Sequence, residues 1–208
     1  MNWQMENVKD VKLLDLASLA PLDASAVAAD DSLAGMVEMH NARLARAVDR
    51  VRRLAADRQH LADFTAWQAA DSADIATARC RVRRESWDAI LELRRVLEEC
   101  QTILGEMARQ LGKQRDNLDE KYSAIVASAE KRLCRERRGL ERANPATAGS
   151  HFADLVAGQK PVAEAAEALA AARQALDAVS AERRAVGSDL SAVAARQREV
   201  FASSAPMP

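Results

Sequence analysis

The fold of this chain is decided by residues 90–125, which read ILELRRVLEECQTILGEMARQLGKQRDNLDEKYSAI. A large aliphatic residue recurs there at every seventh position: Ile90, Leu97, Leu104, Leu111, Leu118 and Ile125. A sustained heptad repeat is typical of a helix that lies along another helix, because it keeps an apolar edge on one side. The stretch therefore predicts a coiled coil.

A second repeat follows in the C-terminal part of the chain. Its members are Val162, Leu169, Leu176, Arg183, Leu190 and Gln197, with companions at Val179, Val186, Val193 and Val200. Polar residues interrupt the two repeats at Gln114, Lys121, Arg183 and Gln197. We interpret them as positions that lower stability but disfavour wrong registers and wrong oligomers.

Composition supports long helices. Aromatic residues make up only 3% of the 208 residues and charged residues 29%, while alanine dominates the apolar 49%. Such a chain suits helices with narrow apolar seams rather than a thick globular core. We therefore predict an all-α fold of long antiparallel coiled-coil hairpins, with three long helices.

Caps and helix breakers divide the chain. Asp31 and Ser32 are good N-caps, Asp71 to Asp74 reads as a turn, and Pro145, Gly158 and Pro161 mark a second connection. The predicted parts are an N-terminal docking or flexible segment (1–31), helices at 32–70 and 75–143, a loop (144–160) with a short helix at 150–157, a third helix (161–202) on the C-terminal half of the second, and a tail (203–208). The central helix would have about 65–70 residues. The alternative is a four-helix bundle in which this helix breaks near Gly105 to Gly112.

Loop positions predict which charges face each other. A first hairpin centred on residues 72–73 places Arg46 opposite Glu99 and Arg53 opposite Glu92, with a slip of a few residues left open. A second hairpin centred on residue 151 gives the pairs Glu164–Arg138, Glu167–Arg135 and Asp189–Lys113, and it places Arg183 near Asp119 or Glu120.

Two basic stretches resemble phosphate-binding segments. In KRLCRERRGLER (131–142), Glu136 and Glu141 interrupt the cations and the facing helix would supply Glu164 and Glu167, so we interpret it as a neutralised, solvated face. RCRVRR (79–84) has fewer compensating acids. Its Arg79, Arg83 and Arg84 are therefore our candidates for contact with an acidic partner.

Aromatic and leucine residues supply the other candidate contacts. Phe64, Trp67 and Trp87 flank the first hairpin turn, where they would either anchor a partner or cap the end of a bundle. Leu13, Leu14, Leu16 and Leu19 fit a short helix stopped by Pro21. This helix would dock on another subunit, fold back on its own bundle or belong to a disordered tail.

No pattern for catalysis, a cofactor or a metal stands out. His60 and Asp63 lie one turn apart without a third ligand, and His40 falls on the predicted core face. The three cysteines (Cys80, Cys100 and Cys134) are widely spaced, which favours reduced thiols in the cytoplasm. No nucleophile or nucleotide motif occurs. We expect no enzymatic activity, no cofactor, no metal and no small-molecule substrate.

Charge and hydropathy give a cytoplasmic expectation. The net charge is −1, no apolar run reaches the length of a membrane span, and the first residues lack a basic leader. We predict a scaffold or adaptor subunit that binds other protein subunits by helix packing, with homo-oligomerisation left open. The reason is an apolar stripe (Val48, Ile103 and Val126) that two-helix pairing would leave uncovered.

Two further functions rank lower. A crescent-type helical dimer on an anionic membrane would need a basic face from Arg43, Arg50, Arg83 and Arg84. Binding of nucleic acid through the two arginine clusters is weaker still, because the charge is balanced and stacking aromatics are few. Neither a membrane nor a nucleic acid is expected as a partner.

Overall fold

The chain folds as five α-helices in a computed structural model that describes residues 16, 19–23, 25, 31–67 and 73–202. The helices are α1 (Asp31–Trp67), α2 (Ala73–Arg132), α3 (Cys134–Ala143), α4 (Ala148–Ala157) and α5 (Lys160–Ala202). The predicted all-α class with long helices is confirmed. The expected tail at 203–208 and most of the expected N-terminal segment lie outside the described residues.

The second connection follows the sequence closely. The short helix predicted at 150–157 is present as α4. The backbone N–H of Gly158 closes it by donating to the carbonyl oxygen of Asp154 at 2.9 Å. Pro161 is the second residue of α5, where its missing N–H costs no helical hydrogen bond.

The central helix is continuous through Gly105 and Gly112, so the broken alternative is wrong. Its end differs from the prediction. Helix α2 stops at Arg132 after 60 residues, and Leu133 (φ −90°, ψ 13°) departs from helical geometry before α3 begins. Backbone bonds from Leu133 to Ala129 and from Arg137 to Leu133 carry the helical pattern across this bend.

The described helices form two compact units. The first unit takes in residues up to Ile103 and from Arg183 onward, and the second takes in Leu104 to Glu182. Helices α2 and α5 each contribute residues to both.

In the first unit, α2 is buried over a broad face rather than along a narrow edge. Between Ala89 and Ile103 its buried residues are Ala89, Ile90, Leu93, Val96, Leu97, Cys100 and Ile103. Two helices supply the cover, since Arg43 of α1 pairs with Glu99 while Arg94 donates to Gln197 of α5 at 3.0 Å. Helix α5, expected on the C-terminal half of α2, therefore also packs against its N-terminal half.

The residues expected to form an uncovered apolar stripe are therefore buried or half-buried in the structure. Val48 and Ile103 are buried, with 7% and 5% of their surface exposed. Val126 is half-buried against an apolar cluster of the second unit. Two-helix pairing was expected to leave the stripe uncovered, and Val48 and Ile103 are covered because a third helix, α5, packs against the same part of α2 as α1 does.

The second unit has its own core where α2 ends. Ala129, Phe152, Val156 and Val162 are buried together, and Tyr122, Ile125, Val126, Leu133 and Leu140 pack against them. The Arg137 guanidinium lies over the Phe152 ring, 5.5 Å from its centre. Helix α4 thus fills the corner between α3 and the start of α5.

The α1–α2 register is three positions from the prediction. Arg43 pairs with Glu99 at 2.8 Å and Arg50 pairs with Glu92 at 2.7 Å. Arg46 and Arg53, predicted in those places, donate to carbonyl oxygens of their own helix. The slip left open in the prediction is therefore three residues.

The α2–α5 register differs by ten positions. Asp119 pairs with Arg173 at 3.1 Å, in the place predicted for Arg183. Helices α3 and α4 occupy the connection, so α5 starts opposite the end of α2 and not opposite residue 143. Glu164, predicted to face Arg138, pairs instead with Lys160 of its own helix at 3.7 Å.

Candidate functional site

The predicted arginine contacts lie near the start of α2. Arg79, Arg83 and Arg84 are all exposed. The neighbouring Arg81 approaches Glu85 at 3.9 Å. Within the described part of the chain, Arg83 and Arg84 form no ion pair. Their exposure fits the predicted contact with an acidic partner, which stays a prediction.

Of the three predicted aromatic anchors, the structure describes one side chain. Trp87 is half-buried, next to Ser86, whose hydroxyl donates to the Val82 carbonyl at 2.7 Å. Phe64 and Trp67 belong to α1, but their side chains lie outside the described residues. The choice between partner anchor and bundle cap stays open.

The described part of the predicted leucine docking segment lies on α1. Leu13 and Leu14 lie outside the described residues, Leu16 and Leu19 are half-buried, and Leu22 is buried. The Asn41 side chain accepts from the Leu22 N–H at 2.8 Å and donates to the Leu22 carbonyl at 3.0 Å. We call Leu16 and residues 19–23 the leucine segment.

Polar contacts hold this segment against α1. Asn41 binds both backbone polar groups of Leu22. Arg52 also donates to the Leu16 carbonyl at 3.4 Å. The described part of the segment therefore runs antiparallel to α1.

A pair of exposed methionines on α1 was not predicted. Met36 and Met39 are 43% and 63% exposed, and the third large hydrophobic residue exposed among the described residues is Leu155. Spacing of three places both methionines on one helix face. The sequence could have indicated their exposure, because both positions fall outside the predicted core stripe of Leu33, Val37 and His40.

His40 is a buried imidazole in the first unit. Only 2% of the residue is exposed, and within the described structure neither ring nitrogen has a hydrogen-bond partner. Burial lowers the pKa of His40 below its ordinary value, the nearby Glu99 carboxylate opposes this shift, and Arg43 adds to it. The predicted core position of His40 is confirmed.

Of the four polar seam positions, one lies in the core. Gln197 is buried and accepts from Arg94, whereas Gln114, Lys121 and Arg183 are exposed. The seam interpretation therefore fails for those three. Among the described residues, no three His, Cys, Asp or Glu side chains come together as a metal site requires.

A row of cations at the end of α2 and along α3 was also missed. Lys131, Arg135, Arg138 and Arg142 follow one another at spacings of four, three and four, and all are exposed. We call these residues the α3 ridge. Helical spacing alone was the available signal, but the predicted register gave two of them acidic partners.

The ridge points away from the core of the second unit. Ala129, Leu133 and Leu140, which pack against Phe152, also follow helical spacing but on the opposite face. Arg137, one residue before Arg138, belongs to the inner side, since it contacts Phe152 and pairs with Glu141 at 3.0 Å.

Comparison with known proteins gives no relative: no protein-family model, no curated protein and no solved structure matches this chain. A proposed function must therefore rest on the exposed surfaces of the described helices. Across the helices that the structure describes, no stretch is both long enough and apolar enough to cross a bilayer.

Proposed function

We propose that this chain is a non-enzymatic helical scaffold that binds another protein through the outer face of α1. The observation that carries the proposal is the exposed pair Met36 and Met39. Methionine adapts its shape to a partner and is common at protein interfaces, as is arginine. Arg46 lies seven residues after Met39, on the same face of α1, and is exposed.

The surface that supports partner binding in the structure differs from the one that the sequence indicated. Partner binding no longer rests on Val48 and Ile103, which are buried, or on Val126, which is half-buried against the apolar cluster of the second unit. It rests on apolar surface that the fold leaves in water although burial would stabilise it. The exposed arginines near the start of α2 are a second surface of the same first unit that fits an acidic partner.

The membrane-surface alternative gains no such observation. Two of its four proposed cations, Arg43 and Arg50, pair with Glu99 and Glu92. Pairing reduces the positive potential that would attract anionic lipid. Only Arg83 and Arg84 of the proposed basic face remain without an ion pair in the described part of the chain.

The test is affinity capture of partners from the source cell with the full chain and two variants. Met36→Glu with Met39→Glu places charge in the proposed contact. Ala45→Glu with Ala56→Glu adds the same charge at exposed positions of the same helix and serves as the control. Recovery of the partner should fall at least about tenfold for the methionine variant only, because buried anchors dominate binding. Equal recovery with both variants, or no partner for the unmodified chain, would refute the proposal.

A further inference from the structure

The α3 ridge presents positive charge that nothing in the second unit neutralises. Lys131, Arg135, Arg138 and Arg142 are exposed, and no described residue forms an ion pair with any of them. At 1.5 Å per residue, the row is about 16 Å long. Residues 131–142 also contain two acids. Glu141 pairs with Arg137. Glu136 follows Arg135 in sequence and therefore lies about 100° around the helix from it.

The register explains why these cations are left over. Because Arg173 faces Asp119, α5 begins opposite the end of α2, and α3 lies beyond its first turn. Glu164 is taken by Lys160. Helix α4 covers the inner side of α3 instead, and its single acid, Asp154, forms no ion pair with a described residue. The acids that the predicted register placed opposite the ridge therefore do not pair with it.

We propose that the α3 ridge binds the phosphate backbone of double-stranded nucleic acid without reading its sequence. A duplex carries one negative charge per about 1.7 Å of axis, so the ridge would face roughly nine charges wherever it lands. Arginine, three of the four cations, binds phosphate oxygens through paired N–H groups. The contacts proposed for the ridge are to phosphates, which fix position on a duplex but carry no sequence information.

The lack of apolar surface on the ridge favours a duplex over other anionic partners. Each basic residue strengthens binding to an anionic bilayer only about fivefold, and the leucines that would anchor it, Leu133 and Leu140, point into the core. Exposed ion pairs with an acidic protein segment each contribute even less. A duplex binds through charge alone, because displaced counterions drive the association.

The experiment measures binding of a labelled 20-base-pair duplex of arbitrary sequence to the full chain by fluorescence anisotropy. The test variant carries Arg135→Gln, Arg138→Gln and Arg142→Gln. The control variant carries Arg95→Gln, Arg183→Gln and Arg184→Gln, three exposed arginines that form no ion pair with a described residue. Glutamine keeps a similar helix propensity, so both variants should fold, and circular dichroism checks this.

The salt dependence identifies the number of phosphate contacts. Affinity of the unmodified chain should fall about a hundredfold between 50 and 200 mM salt, as expected for four contacts, and the control variant should behave alike. The ridge variant should bind at least about tenfold more weakly at 50 mM and lose only about threefold over the same range.

Three results would overturn the proposal. They are absence of duplex binding by the unmodified chain at 50 mM salt, equal binding by the ridge and control variants, and binding to phosphatidylserine vesicles without binding to the duplex. The last result would assign the ridge to a membrane surface. The outcome is independent of the proposed scaffold function, since Met36 and Met39 belong to the first unit.

Discussion

His40 shows how a single residue lowers the stability of the first unit. Its ring is buried without a hydrogen-bond partner among the described residues, so folding strips water from two polar nitrogens and returns nothing. An unsatisfied buried polar group costs about 1–3 kcal/mol. The position is therefore a place where the natural residue is not the most stable one.

Replacing this imidazole with an apolar side chain should stabilise the protein. We expect His40→Leu to raise the free energy of unfolding by about 1–3 kcal/mol at pH 7.5, because leucine fills a similar volume without the desolvation cost. Urea denaturation measures the change. His60→Leu, at an exposed position of the same helix, is the control and should shift stability by less than about 0.5 kcal/mol. A destabilised His40→Leu protein would contradict this account.

The same residue should make stability depend on pH. The pKa of His40 is lower in the folded chain than its ordinary value of 6.5, first because of burial and then because of Arg43. The unfolded chain therefore binds more protons below about pH 6.5, and stability is complete above this pH and falls as the pH drops through it. Denaturation at pH 7.5 and 5.5 measures the loss. The loss should be smaller in His40→Leu, and an identical pH profile for the variant and the unmodified protein would refute the assignment.

At the scale of elements, the heptads predicted the helices but not how they face each other. The repeat from Ile90 to Ile125 specifies one helix because its period is local. Register depends on where each turn is centred, and the departure of Leu133 from helical geometry is invisible in a repeat that continues past it. Because the prediction did not include this departure or the place of α4, its α2–α5 register differs from the observed one by ten positions. Asp119 therefore pairs with Arg173 and not with the predicted Arg183.

The leucine segment is an element held by few contacts, so its attachment can be tested separately. We expect Asn41→Ala to free the Leu22 amide for hydrogen exchange and to lower its protection about tenfold to a hundredfold, because both backbone bonds to Leu22 disappear. Exchange measured by mass spectrometry on peptides covering residues 19–25 reports this. Global unfolding should change little, since the segment opens locally.

A graded variant separates the two hydrogen bonds. In Asn41→Asp the carboxylate still accepts from the Leu22 N–H but no longer donates to the Leu22 carbonyl, so protection should fall between the unmodified protein and Asn41→Ala. If both variants exchange as slowly as the unmodified protein, the buried Leu22 side chain alone holds the segment, and the backbone clamp has no role.

For the whole molecule, function is set by the surface that tertiary packing leaves over, and a single sequence reveals little of it. Val48 and Ile103 read as uncovered because each half of α2 was given one partner, yet they are buried. The sequence analysis did not identify Met36, Met39 or the α3 ridge as candidate contacts, yet they are exposed. Helical spacing alone marked the outward positions of Met36, Met39 and the α3 ridge. The burial of Val48 and Ile103 depends on which distant helices meet, and local periodicity does not contain that information.

The covered seam also predicts the state of association. We expect the purified chain to sediment as a monomer of 22.6 kDa at micromolar concentration. Among the described residues, the large aliphatic side chains other than Leu155 are covered within the chain, so no apolar seam is left to pair with a second copy over the roughly 1,200–2,000 Å² that stable interfaces bury in total. Sedimentation equilibrium at three concentrations measures the mass. A mass that doubles with concentration would contradict the prediction, and its reversal by Met36→Glu with Met39→Glu would show that the outer face of α1 binds a second copy of this chain.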